Sequence, residues 1–437
     1  MNEYPNAIKE RLIYMIKEMS SSPAEFVKNP GKDFTRKRKL PFESVIQLLL
    51  SMGGNSIYKE LLEAQEYDIK TATTSAFVQQ RDKILPSAFE FLFRKFVNSF
   101  ADVKRYKGYR LLAADGSDLN IAPDSNDPET FFRISEDSKG YNLLHLNALY
   151  DLCSRLYVDA RIQSPRQSNE NKSLCEMVDC SPIEGDVIIM ADRLYESYNN
   201  FAHIEKKGWN YVIRIKDSLV NGILSALPLP SDEEFDICFD RILTKKQTNE
   251  VKAHPDVYKF IPSKSTFDFL DLHTNKFYPI SFRVVRFKVS DNFYETVITN
   301  LDAASFPSEE LKMLYSMRWG IETSFRELKY AVGLLNFHAK KREFIIQEIF
   351  ARMTMYNFAE MITLHVVVLK ADTKHLYQVN YTVAIHICRR FLRHNGVQSP
   401  PDVEALISKN ILPVRPGRKR PRKLRGKPAV SFVYRVA

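Results

Sequence analysis

Four side chains in one short stretch, YSMRWGIETSFRELK, have the types and spacing to handle a phosphate: Tyr315, Arg318, Glu322 and Lys329. On a helix turning about 100° per residue they fall within an arc of roughly 60°. The apolar Leu314, Met317, Ile321, Phe325 and Leu328 form an adjoining stripe suited to burial. A carboxylate beside a phenol and two cations could hold a divalent ion and grip phosphate oxygens, the arginine with a forked contact. Read singly, Glu322 and Lys329 are also ordinary charges on an amphipathic surface helix. The chemistry needs further carboxylates.

Two aspartates are candidates. Asp115, in LLAADGSDL, follows an apolar run and precedes a glycine, so it is expected at or just past a strand end. Asp192, in DVIIMADRLY, ends a second buried-type run before a helix-like segment. Acids at strand ends can converge with a helix-borne glutamate on one sheet edge. Three such oxygen donors suit Mg²⁺, which takes few protein ligands and leaves room for phosphate and water. Two ions about 3.5–4 Å apart can serve both the attacking and the leaving oxygen of phosphoryl transfer. Asp115 as a turn residue and Asp192 as a helix cap remain open readings. Asp118 is a weaker ligand candidate.

The elements that must position these groups can be read along the 437 residues. Residues 1–105 carry apolar positions three and four apart and read as helical. The cations Arg36, Lys37, Arg38 and Lys39 precede the helix PFESVIQLLLSMGG, with Pro41 at its first position, so this region is read as a DNA-binding domain or a plain bundle with a basic loop. Residues 106–216 hold short β-rich runs and a strand–helix–strand unit, the pattern of a mixed α/β sheet. Residues 217–300 alternate in strand fashion and read as an all-β insertion. Residues 301–345 supply one long helix, with Ser308 able to cap it and Glu309 and Glu310 in its first turn. Residues 346–412 are helical, and residues 413–437 form a tail.

That tail concentrates the charge. Arg415–Lys427 contains eight cations, among them Arg418, Lys419, Arg420, Arg422 and Lys423; removing them from the net +10 leaves +2 for the rest. Prolines bar it from a regular helix, and such a polycation can lie along phosphates and release counterions. A solvated terminus or a nuclear-localisation patch fits the same composition. Five cysteines with no C-x-x-C pair speak against a zinc site. The start MNEYPNAIKERL lacks a secretory layout and no apolar run reaches bilayer length, so a soluble chain without a membrane partner is expected.

With Tyr315, Arg318, Glu322 and Lys329 at the spacing Y-x2-R-x3-E-x6-K, and with AADGSD and MADRLYESYNNF carrying the aspartates, the sequence resembles DDE transposases of the bacterial IS-four insertion-sequence group. GYNLLHLNALYDL and the basic C-terminal stretch share the likeness. The resemblance implies an α/β, RNase H-like catalytic core with an all-β insertion and helical N- and C-terminal regions. It implies Asp115, Asp192 and Glu322 as ligands of two Mg²⁺ ions, with Mn²⁺ able to substitute. It also implies cut-and-paste transposition through a hairpin, on inverted-repeat ends and target DNA, in the cytoplasm near the nucleoid. Tyr315, Arg318 and Lys329 would hold phosphates, and Tyr294 or Trp319 would stack on a flipped base. Joining two ends implies a homodimer, with helices after Phe344 as candidate interface. A DNA-binding domesticated relative and a nuclease without strand transfer are the rival readings.

Overall fold

Residues Leu111–Asp115 and Ile188–Ala191 lie on adjacent parallel strands, with Asp192 directly after the second, and side-chain alternation decides what each presents. The computed structural model describes residues 2–414 except 37, 101–102, 134, 137–138, 217–221, 226, 273, 367–376 and 395–399. Lys37 and the tail cations Arg418, Lys419, Arg420, Arg422 and Lys423 lie outside the described residues.

Five helices lead the chain: α1 (Glu3–Ser21), α2 (Phe42–Ser51), α3 (Ile57–Ala64), α4 (Thr74–Asp82) and α5 (Pro86–Asn98). A meander follows: β1 (Arg110–Ile121), the short β2 (Phe131–Phe132), β3 (Tyr141–Asp151) and β4 (Leu156–Gln163). Helix α6 (Glu170–Asp179) crosses to β5 (Val187–Ala191), and α7 (Tyr198–Lys206) leads to β6 (Asn210–Arg214). Then come β7 (Phe235–Thr244), α8 (Asn249–Ala253), β8 (Tyr258–Phe260), β9 (Tyr278–Ser290) and β10 (Phe293–Thr299). The chain continues with α9 (Ser308–Met317), α10 (Trp319–Tyr330) and α11 (Arg342–His365). It ends, among the described residues, with β11 (Tyr377–Val379), α12 (Tyr381–Arg393), α13 (Val403–Lys409) and β12 (Ile411–Pro413).

Strands β1 to β10 join one sheet in the order β2-β3-β1-β5-β6-β10-β9-β7-β8, with β4 also on the outer edge of β3. β1, β5 and β6 are parallel; β3 and β4 run as an antiparallel meander. β1 pairs with β3 as far as Ile121 but with β5 only to Ala114. Asp115 therefore sits inside β1, not at its end as the sequence suggested. What ends at Ala114 is the partner on one side, and that opens space beside the carboxylate.

Successive residues of a strand face opposite sides of the sheet. Leu112, Ala114, Ile189 and Ala191 pack with α6 and α7, while Leu111, Ile188 and Met190 pack with α9 residues Leu311, Leu314 and Tyr315. By the same alternation Asp115 and Asp192 belong to the face that α9 and α10 cover. Ala113 and Leu119 on that face share a core with Ile321, Phe325 and Leu328 of α10.

Three expectations need correction. Residues 217–300 are β-rich but include α8, and β7, β8, β9 and β10 prolong the central sheet instead of closing an all-β unit. The single long helix is two, α9 and α10, meeting at Arg318, where 3.1 Å bonds from Arg318 N to Tyr315 O and from Ile321 N to Arg318 O tighten the backbone. Gly320 lets α10 approach the β3–β4 turn closely, because a Cβ there would stand 2.8 Å from Leu152 Cδ2. Ser308 is the first helical residue, after Pro307, and makes no side-chain cap.

Helix α11 is buried along nearly its whole length and around its circumference, so it is a core spine and offers no broad dimer face of its own. Helices α1, α2 and α5 pack on it, so the N-terminal helices share its apolar core. Its buried polar residues are paired. Asn357 accepts from Tyr157 N (2.9 Å) and donates to Tyr157 O (2.8 Å), standing in for a strand neighbour of β4. Glu348 meets Arg81 of α4 at 3.0 Å and Arg352 at 3.2 Å, all three nearly inaccessible to water. Removing one partner leaves a buried charge uncompensated. Glu348→Ala should therefore lower unfolding free energy by about 3–5 kcal/mol in urea titration. Lys95→Ala, which breaks the exposed Lys95–Glu18 pair, should change it by less than about 1 kcal/mol.

Candidate active site

The site builds from the sheet upward. Asp115 Oδ1 accepts the backbone N–H of Gly116 at 2.8 Å, which leaves Oδ2 aimed elsewhere. Asp192 follows β5 directly and caps the 3₁₀ turn Arg193–Tyr195, its Oδ1 accepting from Leu194 N at 2.8 Å. The cap reading and a position on the shared sheet face hold together. Glu322 lies in the first turn of α10, where the helix dipole favours an anion.

Arg318 joins two of the acids. One of its guanidinium nitrogens is 2.9 Å from Glu322 Oε1 and the other 4.0 Å from Asp115 Oδ2, and the side chain is only 6 % exposed. Burial is the main force that pushes the Asp115 carboxyl up to about 6. The Gly116 N–H and Arg318 oppose that shift, and the nearby Asp192 and Glu322 charges add to it. Asp115 therefore lies within electrostatic reach of both other acids. Among the described residues, no three His, Cys, Asp or Glu side chains already surround a common metal position. The guanidinium compensates two of the carboxylates in the place where a cation could do so.

Tyr315 is buried beneath, and its hydroxyl has no hydrogen-bond partner. Burial pushes that phenol up to about 12. The Arg318 guanidinium stands 5.7 Å from the Tyr315 ring and 5.1 Å from that of Trp319, and Arg318 Nε also lacks a partner. Trp319 is half exposed at the start of α10, one turn before Glu322. Lys329 is engaged within the chain: its Nζ donates to Ser117 Oγ (2.7 Å) and Asp118 O (3.0 Å) on β1, and burial lowers its pKa. The sequence pattern did not indicate this use.

The other expected DNA-facing residues are spread more widely. Tyr294 lies on β10 three residues before Val297, the partner of Arg214; its hydroxyl donates to Glu233 and Arg286 stacks 5.2 Å above its ring. Arg36, Arg38 and Lys39 are exposed before α2, and Arg36 and Arg38 line a shallow pocket with Lys32 and Lys83, far along the chain from the carboxylates. Two features escaped sequence reasoning. Leu194, beside Asp192, is 59 % exposed, and His145 of β3 is bracketed by Asp118 and Glu170. Only the D-G-S-D spacing around Gly116 gave a signal for the second.

Residues 106–358, spanning β1 to α11, match the family model of the transposase DDE domain. The chain belongs to that family. The DDE domain thus contains Asp115, Asp192 and Glu322 and the helices that cover them. Among solved structures the chain is similar to a piggyBac transposase synaptic complex with hairpin DNA, determined by cryo-electron microscopy. The TM-score is 0.44 and the identity 10%, over 89% of this chain and 80% of that one. No curated protein matches it.

The raised Asp115 carboxyl has a consequence for stability. Its folded value, about 6, exceeds the ordinary 3.8, so between roughly pH 4 and 6 the folded chain holds that proton more firmly than the unfolded chain. Stability from this group falls as pH rises through the window and the deficit is complete above it. Asp115→Asn should therefore stabilise the metal-free protein at pH 8 by about 3 kcal/mol and change nothing near pH 3. Chemical denaturation at the two pH values measures this.

Proposed function

We propose that the chain is a DDE transposase of the IS-four insertion-sequence group that cuts and rejoins DNA at inverted-repeat ends. One observation carries the reading. The Arg318 guanidinium lies against Glu322 and Asp115, while two buried donors beside it, the Tyr315 hydroxyl and Arg318 Nε, have no partner. Unpaired buried donors are costly, and a phosphate oxygen entering between them would satisfy both. A site of acids and unpaired donors together suits a phosphodiester better than it suits a structural ion pair. The core that holds it, β4-β3-β1-β5-β6 with α6 and α7 behind, is read as the RNase H-like unit.

Asp115, Asp192 and Glu322 are the residues that would hold divalent cations. Their donor set is wholly carboxylate, which suits a pair of Mg²⁺ ions or Mn²⁺ in their place. Bound there, the cations would polarise the scissile phosphate and favour the attacking oxygen. This chain's own groups do the remaining work. Arg318 turns from the carboxylates toward the phosphate, its fork gripping two oxygens, while the Tyr315 hydroxyl donates to a third position. Lys329 holds α10 to β1 and so keeps Glu322 opposite Asp115, with its charge close to the strand that DNA approaches. Trp319, exposed one turn before Glu322, stacks on a base displaced when a hairpin end forms; Tyr294 is the alternative ring. The exposed Arg36, Arg38 and Lys39 contact the DNA backbone away from the scissile bond. Two copies act together so that both ends are joined to target DNA in concert.

The test is cleavage of a duplex carrying the element's end, with Mg²⁺. Glu322→Gln should lose at least about 100-fold in rate with DNA affinity retained. The parent should also transfer the freed 3′ end to a target duplex. Cleavage by Glu322→Gln at the parental rate contradicts the assignment, and cleavage without strand transfer makes the protein a nuclease.

A further inference from the structure

Behind Asp115, on the face that α6 covers, stands an array that the proposed chemistry does not use. Alternation along β1 turns Gly116 and Asp118 to that face. His145 Nδ1 is 2.8 Å from Asp118 Oδ1, and its Nε2 is 3.0 Å from Glu170 Oε1, off the ideal hydrogen-bond direction. Gly116 lies directly against the pair: an added Cβ would be 2.6 Å from both Glu170 Oε1 and His145 Nε2. The residue after Asp115 is thus a glycine because an imidazole and a carboxylate occupy the room a side chain would need. Burial alone would lower the imidazole, but the two carboxylates outweigh it and push it up to about 9, so the bracket is ionic at neutral pH.

The same first turn of α6 reaches the other aspartate. Asn171, next to Glu170, donates from Nδ2 to the carbonyl of Leu194 at 3.2 Å. Asn200 of α7 donates to Asn171 Oδ1 (2.6 Å) and to the Tyr195 carbonyl (2.9 Å). Leu194 and Tyr195 belong to the turn that Asp192 caps. On the opposite face, Lys329 of α10 grips Ser117 and the Asp118 carbonyl. A continuous set of polar contacts therefore runs from the helix of Glu322, through β1 beside Asp115, through His145 to α6, and on to the Asp192 turn.

We infer that Glu170 and Asn171, with His145 and Asp118, are positioning residues that set the Asp115 strand at a fixed distance from the Asp192 turn. They touch no reacting group. They act by holding the backbones that carry two of the three carboxylates. This rests on the proposed metal-binding role of those carboxylates for its functional meaning, but the mechanical coupling stands apart from it. Partners one step removed from metal ligands commonly change metal affinity about 10–100-fold when removed.

The experiment uses the full chain and compares the parent with His145→Gln and Asn171→Ala. Hydrogen exchange measured by mass spectrometry follows the coupling, and electron paramagnetic resonance of free Mn²⁺ follows metal affinity without any catalytic turnover. In His145→Gln, exchange should rise about tenfold in residues 187–198, on a different strand, as well as in residues 141–151, while residues 381–393 keep parental protection. Both variants should bind Mn²⁺ about tenfold more weakly. Unchanged exchange at 187–198, or an equal rise across the whole chain, overturns the inference. Parental Mn²⁺ affinity in both variants overturns it as well. Asp192→Asn serves as the control. Should it bind Mn²⁺ as the parent does, the metal reading of the site fails, and the exchange data still decide whether the clamp exists.

Discussion

Asp115, buried on one face of the sheet, feels the charges of Asp192 and Glu322, and much of the surrounding architecture holds in place the two strands and the helix that carry these carboxylates. Strand alternation puts two of them on a common face. A helix laid across that face brings the third. The buried guanidinium of Arg318 lies against two of them, while burial above all, with the Asp192 and Glu322 charges adding to it, raises the Asp115 carboxyl. The apolar packing of the elements around the site offsets the cost of burying Asp115.

That packing has two layers. Beneath α10, Ser324 meets the Tyr157 hydroxyl at 2.8 Å, and Ile321, Phe325 and Leu328 enter the large core built around α11. Behind the sheet, α6 and α7 close the other side over the alternate residues of β1, β5 and β6. A helix packed this firmly along its buried side can present Glu322 without relying on the carboxylates for its own stability. Function and folding are in this way separated: the groups that destabilise the chain are few and local, and the apolar contacts that stabilise it are many and elsewhere.

The sequence made some of this legible and left the rest dark for physical reasons. The runs LLAAD and VIIMAD show buried strands ending near an acid, because apolar continuity is a local signal. Which acids share a face follows once those strands are known to be parallel neighbours. That β1 continues past Asp115 was not readable, since its continuation depends on β3, more than twenty residues away in the chain. The β-rich stretch 217–300 was recognised by its strand-like alternation, yet its joining of the central sheet depends on pairing between β6 and β10, which alternation does not encode. The helical wheel put Tyr315, Arg318, Glu322 and Lys329 on one side of a single helix, but it missed the interruption at Arg318. It also missed that Lys329 would spend its charge on β1. His145 and Glu170 themselves carry no periodic signal, and only the D-G-S-D spacing opposite them hints at the bracket.

If Asp115, Asp192 and Glu322 share bound divalent cations, localised oxidative cleavage will locate them. Fe²⁺ substituted for Mg²⁺ and treated with peroxide cuts the polypeptide beside its own ligands, and mass spectrometry locates the cuts. The account predicts cuts close to all three residues, suppressed by excess Mg²⁺ and absent in Asp192→Asn. Cuts beside one of them alone, or cuts indifferent to Mg²⁺, would contradict it.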